Sequence, residues 1–208
     1  MAVSLQKGQK VSLSKENPGL SRVIVGLGWD EAKPAKRGLF GFGARTQAID
    51  CDASALVCVN GKIQNTKDVV FYNNLTHPSG AVKHMGDNLT GAGEGDDEQI
   101  VIDLDRLPEQ YDRVVMCVTI YQARERGQQF GMIQNSFIRL VDARNNQEIC
   151  RYNLSESYDG ATAVVFGEVY RRNGEWKFNA MGQPLQVGGI AELVEDNILR
   201  SGEPMSII

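Results

Sequence analysis

The residues best suited to chemistry in this chain are oxygen-bearing side chains in three short segments. Asp50 and Asp52 open one apolar run, Asn73 and Asn74 close another, and residues 86–98 are rich in acids and glycines. Because Asp50 and Asp52 are two positions apart, an extended strand projects both carboxylates from the same face. Carboxylate and amide oxygens are the ligands that hard cations take in proteins, so the three segments predict a metal site.

Acidic side chains dominate the third segment and the residues after it. Between residues 87 and 105 there are seven Asp or Glu and no Lys or Arg. Two carboxylates about 4 Å apart repel by roughly 4 kcal/mol at an effective dielectric near 20, and a divalent cation between them removes that conflict. Calcium takes oxygens in a flexible cage, and the glycines of this segment allow backbone carbonyls to turn toward it. The candidate ligands are Asp50, Asp52, Asn73, Asn74, Asp87, Asn88, Glu94, Asp96, Asp97 and Glu98.

The acidic segment has three alternative interpretations. Asp87 and Glu98 stand at the first and twelfth positions of an EF-hand-length window, but Leu89 and Gly91 occupy ligand positions and Ala92 replaces the turn glycine. A phosphate-binding loop is disfavoured because acids repel phosphate and no GxxxxGK[ST] motif occurs. An exposed acidic loop with no ligand is the remaining alternative.

Catalytic signatures are sparse, and the prediction is that the chain is not an enzyme. No GxSxG or HExxH motif occurs in the sequence. His84, beside the acidic segment, is compatible either with a role near a metal or with an ordinary polar strand position. Asp97 and Glu98 are of the kind used in glycoside hydrolysis, but few aromatic residues are available to stack on a sugar. The four cysteines form no CxxC pair and fall in apolar or alternating runs, which indicates buried reduced thiols.

Length and composition indicate one domain, spanning residues 1–208. The chain has 208 residues, 42% of them hydrophobic and 23% charged, which is ordinary for a globular protein. The first residues lack the apolar core of a signal peptide, and no run of about 20 apolar residues occurs, so we expect a cytoplasmic protein without a transmembrane segment. A net charge of -4 argues against nucleic-acid binding.

The pattern of apolar runs and turns predicts an all-β fold, a β-sandwich of two mainly antiparallel sheets with a few short helices. Asn60-Gly61 and Asn173-Gly174 are typical of tight hairpins. Residues 114–120 are apolar almost throughout, which indicates a central strand covered on both faces. The predicted strands are 22–27, 54–59, 68–72, 99–104, 113–121, 136–142, 148–154 and 163–170, and the predicted helices are 121–129 and 188–199.

Several motifs together resemble the TerD family of tellurium-resistance and general-stress proteins. They cover roughly residues 3–190, and the block from Gly86 to Glu98 is the most specific of them. The motifs are Val3-Ser4-Leu5, Val25-Gly26-Leu27-Gly28-Trp29-Asp30, Asp50-Cys51-Asp52-Ala53-Ser54, Phe71-Tyr72-Asn73-Asn74-Leu75, Gly86-Asp87-Asn88-Leu89-Thr90-Gly91, Gly95-Asp96-Asp97-Glu98, Asn135-Ser136-Phe137 and Val165-Phe166-Gly167-Glu168-Val169-Tyr170.

The resemblance implies a cytoplasmic, non-enzymatic β-sandwich that holds calcium, with two ions expected and the ten candidate residues in their coordination shell. It also implies partners among other stress and tellurite-resistance proteins, in a membrane-associated complex. The chain departs from the family pattern in a longer, basic insertion at residues 31–47, expected to be a flexible loop, and in a divergent tail at 188–208. Self-association therefore stays open.

The leading functional hypothesis is a calcium-binding, metal-ordered interaction module in the stress response associated with tellurite resistance. The alternative is a metal-dependent enzyme acting on a phosphorylated or nucleotide ligand, with the metal bridging to phosphate oxygens. Calcium-dependent thermal stability without turnover favours the first, whereas chelator-sensitive phosphoesterase activity favours the second.

Overall fold

Two six-stranded sheets form the protein in a computed structural model that describes residues 2–31, 48–86, 95–154 and 156–199. Most of the predicted insertion loop, three of the ten candidate ligands (Asp87, Asn88 and Glu94) and the end of the predicted tail lie outside the described residues. The strands in chain order are β1 (Val3–Leu5), β2 (Lys10–Ser12), β3 (Arg22–Glu31), β4 (Cys51–Cys58), β5 (Val69–Val70), β6 (Val82–His84), β7 (Glu98–Asp103), β8 (Arg113–Ile120), β9 (Ile133–Asp142), β10 (Gln147–Asn153), β11 (Ala163–Arg172) and β12 (Glu175–Leu185).

The two sheets divide the strands by long-range pairing rather than by order in the chain. Sheet A has the order β1-β10-β9-β3-β7-β6, and sheet B has the order β2-β12-β11-β8-β4-β5. All neighbours pair antiparallel except β1 and β10, which are parallel. The prediction of a β-sandwich of two mainly antiparallel sheets is therefore confirmed.

Alternation along each strand decides which side chains enter the core between the sheets. In β3, Val23, Val25 and Leu27 are fully buried, while Ile24 between them faces the outer side and is half-buried. Strand β8 is buried along nearly its whole length because it lies between β11 and β4, with one face toward the core and the other toward a second apolar cluster. The predicted central strand is thus confirmed.

Three short helices complete the described chain: α1 (Leu13–Glu16), α2 (Ala123–Arg126) and α3 (Ile190–Leu199). Leu193 and Val194 of α3 are buried against the outer face of sheet B, in a cluster with Leu56 and Val115. The predicted C-terminal helix is confirmed, and it packs on its own chain.

The tight turns lie where the sequence places them. Asn60-Gly61 and Asn173-Gly174 have positive φ at both residues, between +50° and +74°, which glycine and asparagine adopt at least cost. The second of these turns joins β11 to β12. In this hairpin β11 pairs with β8 and β12 pairs with β2, so it links these two strands within sheet B.

Candidate functional site

Three consecutive acids at the start of β7 lie in three different environments. Asp96 is clamped by Arg139 of β9, whose Nε and Nη2 donate to its two carboxylate oxygens at 2.6 and 3.0 Å. Gln99 Nε2 donates to the same carboxylate at 3.0 Å. The hydrogen bonds from Arg139 to Asp96 raise the pKa of Arg139. The carboxylate lies over Gly26, where a Cβ would collide with it. Asp96 is therefore neutralised by a cation of the protein itself.

Asp97 lies among like charges. Its Oδ2 accepts the Trp29 N–H at 2.7 Å, and its own N–H donates to Leu27 O at 2.8 Å, so both ends of the residue are fixed against β3. Burial raises the pKa of Asp97, and the carboxylates of Asp30 and Asp96 raise it further, against the opposing hydrogen bond from Trp29. Its surroundings favour an added positive charge.

Glu98 joins the two sheets. It is 2% exposed, and its Oε2 accepts the N–H of Ala53 in β4 at 2.6 Å. His84 Nε2 lies 3.2 Å from the same oxygen. Because Glu98 pairs with Leu27 in sheet A while Ala53 belongs to sheet B, this carboxylate ties the sheets together beside the acidic segment.

Asp50 and Asp52 lie at the start of β4. Asp52 is 7% exposed and shares a face of the strand with Leu56 and Cys58, the face that α3 covers further along. Asp50 Oδ2 is 4.0 Å from Arg126 Nη1. The two aspartates therefore leave β4 on the opposite face from Cys51 and Ala53, whose side chains enter the core.

Asn73 and Asn74 follow β5 in a turn that is closed by paired backbone hydrogen bonds between Phe71 and Asn74, at 2.9 and 3.1 Å. Asn74 Nδ2 donates to Val69 O at 2.6 Å, so this amide holds the turn. Asn73 is exposed. Within the described ranges, no group of three or more His, Cys, Asp or Glu side chains is arranged to hold a metal ion.

Asp30 is a functional candidate that the sequence analysis did not select. Its carboxylate accepts a hydrogen bond from Asn135 Nδ2 at 2.8 Å, and both residues line a groove of about 580 Å³ with Asp97. Arg151, stacked on the Phe137 ring at 4.1 Å, lines the same groove. Asp30 stands at the end of an apolar strand, just as Asp50 and Asp52 stand at the beginning of one. That position in the sequence could have identified Asp30 as a candidate ligand.

A Ser–His–Asp array occurs at the turn before β6, and sequence reasoning missed it. Ser79 Oγ lies 2.8 Å from His77 Nδ1, and His77 Nε2 lies 3.2 Å from Asp68 Oδ1. Acyl transfer also needs hydrogen-bond donors for the oxyanion. The nearby Gly80 N–H donates to His77 O at 2.7 Å, and the Ala81 N–H donates to Ser79 Oγ at 3.2 Å. Both of these N–H groups are thus used inside the turn, and the array stabilises the turn.

The four cysteines are buried free thiols, as predicted. Burial raises the pKa of Cys58, Cys117 and Cys150 to about 12. Because the thiolate is the reactive form, these side chains are poorly placed for redox chemistry at neutral pH.

Residues 1–197 match the TerD domain family, and the chain belongs to that family. General stress protein 16U of Bacillus subtilis (strain 168) is 45% identical over 203 residues, which cover 97% of this chain and 100% of that protein. Tellurium resistance protein TerD of Serratia marcescens is 48% identical over 194 residues, which cover 93% and 95%. The chain is thus a member of a tellurium-resistance and general-stress protein family.

Solved structures agree on the fold. The crystal structure of a protein of unknown function, SAV2460, superposes with a TM-score of 0.64 at 24% identity, covering 87% of this chain and 97% of that one. A Streptomyces coelicolor homologue of a telluride resistance protein gives a TM-score of 0.59 at 23% identity, covering 81% and 92%. None of the helices in the described part of the chain combines the length and apolarity needed to cross a bilayer.

Proposed function

We propose that the protein is a calcium-binding, non-catalytic interaction module of the stress response associated with tellurite resistance. The observation that carries the proposal is the placement of Asp97, which lines one groove with Asp30 and whose ionised form is disfavoured first by burial and then by the Asp30 and Asp96 carboxylates. A divalent cation beside it would reverse that disadvantage. The bound ion would supply positive charge and order the acidic segment.

The donors near this position fit calcium better than a transition metal. Asp30 and Asp97 offer carboxylate oxygens in the same groove, and the acidic segment has no cysteine. Asp96 fits less well than predicted, because Arg139 already neutralises it at 2.6 Å. Asp30 replaces Asp96 as a candidate calcium ligand. Asp52 and Asp50 stay candidates on β4, and the proposal of two ions rests on there being these two separate groups of acids.

The cellular part of the proposal rests on the family. Relatives at 45–48% identity carry the names of tellurium resistance and general stress proteins. The buried thiols with raised pKa favour an indirect role in tellurite tolerance over thiol-based reduction of tellurite. We propose a cytoplasmic location and partners among other proteins of the same response, recognised through the ion-ordered surface.

Calcium binding is tested by thermal melting and calorimetric titration of protein treated with chelator. We expect calcium to raise the melting temperature saturably and more than magnesium does, because a ligand that binds only the folded state stabilises it by about 2.7 kcal/mol at 100 times its Kd. If neither ion gives heat on titration or changes the melting temperature, the proposal of a calcium site is wrong.

Asp97→Asn should affect the melting temperature differently in the absence and in the presence of calcium. Without calcium the variant should melt at or above the temperature of the wild type, because the amide removes a disfavoured charge and its oxygen still accepts the Trp29 N–H. With calcium it should gain less than the wild type. Asp105→Asn, at an exposed acid outside the segment, is the matched control and should leave the calcium gain unchanged.

A further inference from the structure

A shallow apolar groove lies on the outer face of sheet A, at the side of β6. Its floor is formed by Ile24 and Val101, which are cross-strand partners in β3 and β7, together with Ala81. Met85, 61% exposed, stands at one side. The groove encloses about 340 Å³, at the lower end of the range for ligand pockets. We call it the sheet A groove.

Three cations surround the sheet A groove: Arg22, Lys83 and Arg106. The acid that lines it, Asp103, is 7% exposed and already accepts Arg22 Nη2 at 2.8 Å and the Arg106 N–H at 3.2 Å. Lys83 and Arg106 are exposed, and neither forms an ion pair with another described residue. The rim is therefore positive in a chain whose net charge is -4.

The outer faces of the two sheets differ in whether a helix covers them. On sheet B, Leu56 and Val115 are covered by Leu193 and Val194 of α3. On sheet A, no helix of the described chain packs on Ile24 and Val101, which stay half-buried. An exposed apolar floor with a charged rim is the pattern of an interaction surface, in which a buried anchor supplies affinity and the rim supplies specificity.

The neighbouring backbone limits how a partner can bind there. The edge of β6 that does not pair with β7 is covered by the preceding segment, because Thr76 bridges to Lys83 and the His84 backbone N–H donates to Leu75 O at 2.9 Å. Strand addition at that edge is therefore blocked, and recognition must use side chains. A concave floor also suits an inserted side chain better than a flat bilayer surface, which requires protruding apolar groups.

We propose that the sheet A groove docks an acidic segment of a partner protein, with one large apolar side chain inserted on Ile24 and Val101. Carboxylates on either side of that anchor pair with Lys83 and Arg106. Complementary charge on the rim speeds encounter and selects the partner, while removal of the anchor from water holds the complex. Docking here involves none of the candidate calcium ligands, so it proceeds in chelator as well as in calcium.

Selection of random 12-residue peptides displayed on phage tests the proposal, with wild-type protein as the target. A Lys83→Glu/Arg106→Glu double variant serves for counter-selection. We expect the enriched peptides to carry several Asp or Glu around one Leu, Phe or Ile. The best of these, made synthetically, should bind the double variant at least ten times more weakly than wild type by fluorescence anisotropy. Replacing its apolar residue by glycine should weaken binding by a similar factor.

A Lys10→Glu/Lys62→Glu variant is the matched control, because it changes the net charge equally at lysines away from the groove. It should bind the peptide within about twofold of wild type after correction for salt, and circular dichroism should show that both variants are folded. Peptides without acids, no enrichment at all, or equal loss in both variants would overturn the proposal.

Two further arms distinguish other occupants of the groove. Sedimentation of the protein with vesicles containing 30% anionic phospholipid, and light scattering of the protein alone, are each repeated with the Lys83→Glu/Arg106→Glu variant. Binding to vesicles or self-association that this variant abolishes, together with a failed peptide selection, would assign the groove to a membrane or to a second copy and refute an acidic protein segment.

Discussion

Two buried histidine–carboxylate pairs in this protein have the same local geometry and different surroundings. His77 and His84 each lie with Nε2 3.2 Å from a carboxylate oxygen, of Asp68 and Glu98 respectively. Each also accepts, at Nδ1, the backbone N–H of the residue two positions later, at 3.2 Å. A ring nitrogen that accepts an N–H carries no proton, so both rings carry it on Nε2 and donate it to the carboxylate.

The two carboxylates differ in what else they hold. Asp68 Oδ2 accepts the N–H groups of Gln64 and Asn65 and so caps the 3₁₀ turn Thr66–Asp68. Glu98 instead accepts the N–H of Ala53 from the opposite sheet, next to Asp97. The same donor and acceptor therefore fix a loop in one place and join two sheets beside the candidate calcium site in the other. The comparison predicts that only the second pair responds to metal.

Removal of the Asp68 carboxylate should have the largest effect on stability. Asp68→Ala leaves the neutral His77 ring and two backbone N–H groups without their buried acceptor. Each buried donor left unsatisfied costs about 1–3 kcal/mol, so we expect a total loss of about 3–5 kcal/mol. Urea denaturation measures the loss, with the exposed Asp105→Ala as control, expected within about 0.5 kcal/mol of wild type. A loss below about 1 kcal/mol for Asp68→Ala would mean that water replaces the carboxylate.

The isosteric amides separate the two pairs. Glu98→Gln keeps an oxygen that accepts the Ala53 N–H but loses the charge, so we expect about 2 kcal/mol of destabilisation in chelator and a smaller gain on adding calcium. Asp68→Asn should lower stability while leaving the calcium gain at its wild-type value. Equal calcium gains in the two amide variants, measured by thermal melting, would contradict the assignment of Glu98 to the metal-responsive region.

The His77 pair should make stability depend on pH. Burial lowers the pKa of His77 below 6.5, against the opposing effect of Asp68, so below pH 6.5 the unfolded chain binds the proton more readily than the folded one. The contribution of neutral His77 is therefore complete above pH 6.5 and is lost as the pH falls. We expect a decrease of about 1 kcal/mol between pH 7 and pH 5.5, within the limit of 1.36 kcal/mol per pH unit for one proton.

His77→Gln is the variant that checks this pH dependence. Glutamine cannot be protonated in this range, so urea denaturation at a series of pH values should give a flatter profile between pH 7 and pH 5.5 than the wild type. An unchanged slope would assign the pH dependence to other groups.

The smallest expected change in stability comes from Tyr111, which contacts the His77–Asp68 pair. Tyr111 Oη donates to Asp68 Oδ1 at 3.5 Å, a long hydrogen bond, while its ring packs edge-on against His77 with centroids 4.8 Å apart. Tyr111→Phe keeps the ring and should therefore cost less than about 0.5 kcal/mol by chemical denaturation. A larger cost would show that the hydroxyl contributes to holding Asp68.

Strands with long apolar runs were predictable from the sequence, and the three-residue strands were not. Strands β8 and β11 show their burial in continuous apolar runs. Strands β1, β2 and β6 have three residues each, too few for an alternation to be recognised, and they depend on pairing with β10, β12 and β7. Their stability comes from tertiary pairing, which propensity alone does not report.

The site was predictable in composition but not in geometry. The density of acids between Asp96 and Glu98 is plain in the sequence, yet their directions depend on partners far along the chain. Asp96 pairs with Arg139, 43 positions later, and Glu98 accepts from Ala53, 45 positions earlier. Both contacts require the register of the sheets to be known. The His77–Asp68 pair was missed for the same reason, because the composition of His77-Pro78-Ser79-Gly80 is typical of a turn and does not indicate a contact with Asp68.

The placement of the first dozen residues has a consequence for biosynthesis. Val3 pairs with Cys150 in sheet A, and Val11 pairs with Phe178 in sheet B, so the N-terminal strands close an edge of each sheet. A nascent chain cannot form either contact until most of it has been translated, which takes roughly 7–30 s at about 5–20 residues per second. Strands β1 and β2 therefore stay unpaired until β10 and β12 have been made, and nascent chains until then keep open sheet edges of the kind that chaperones recognise.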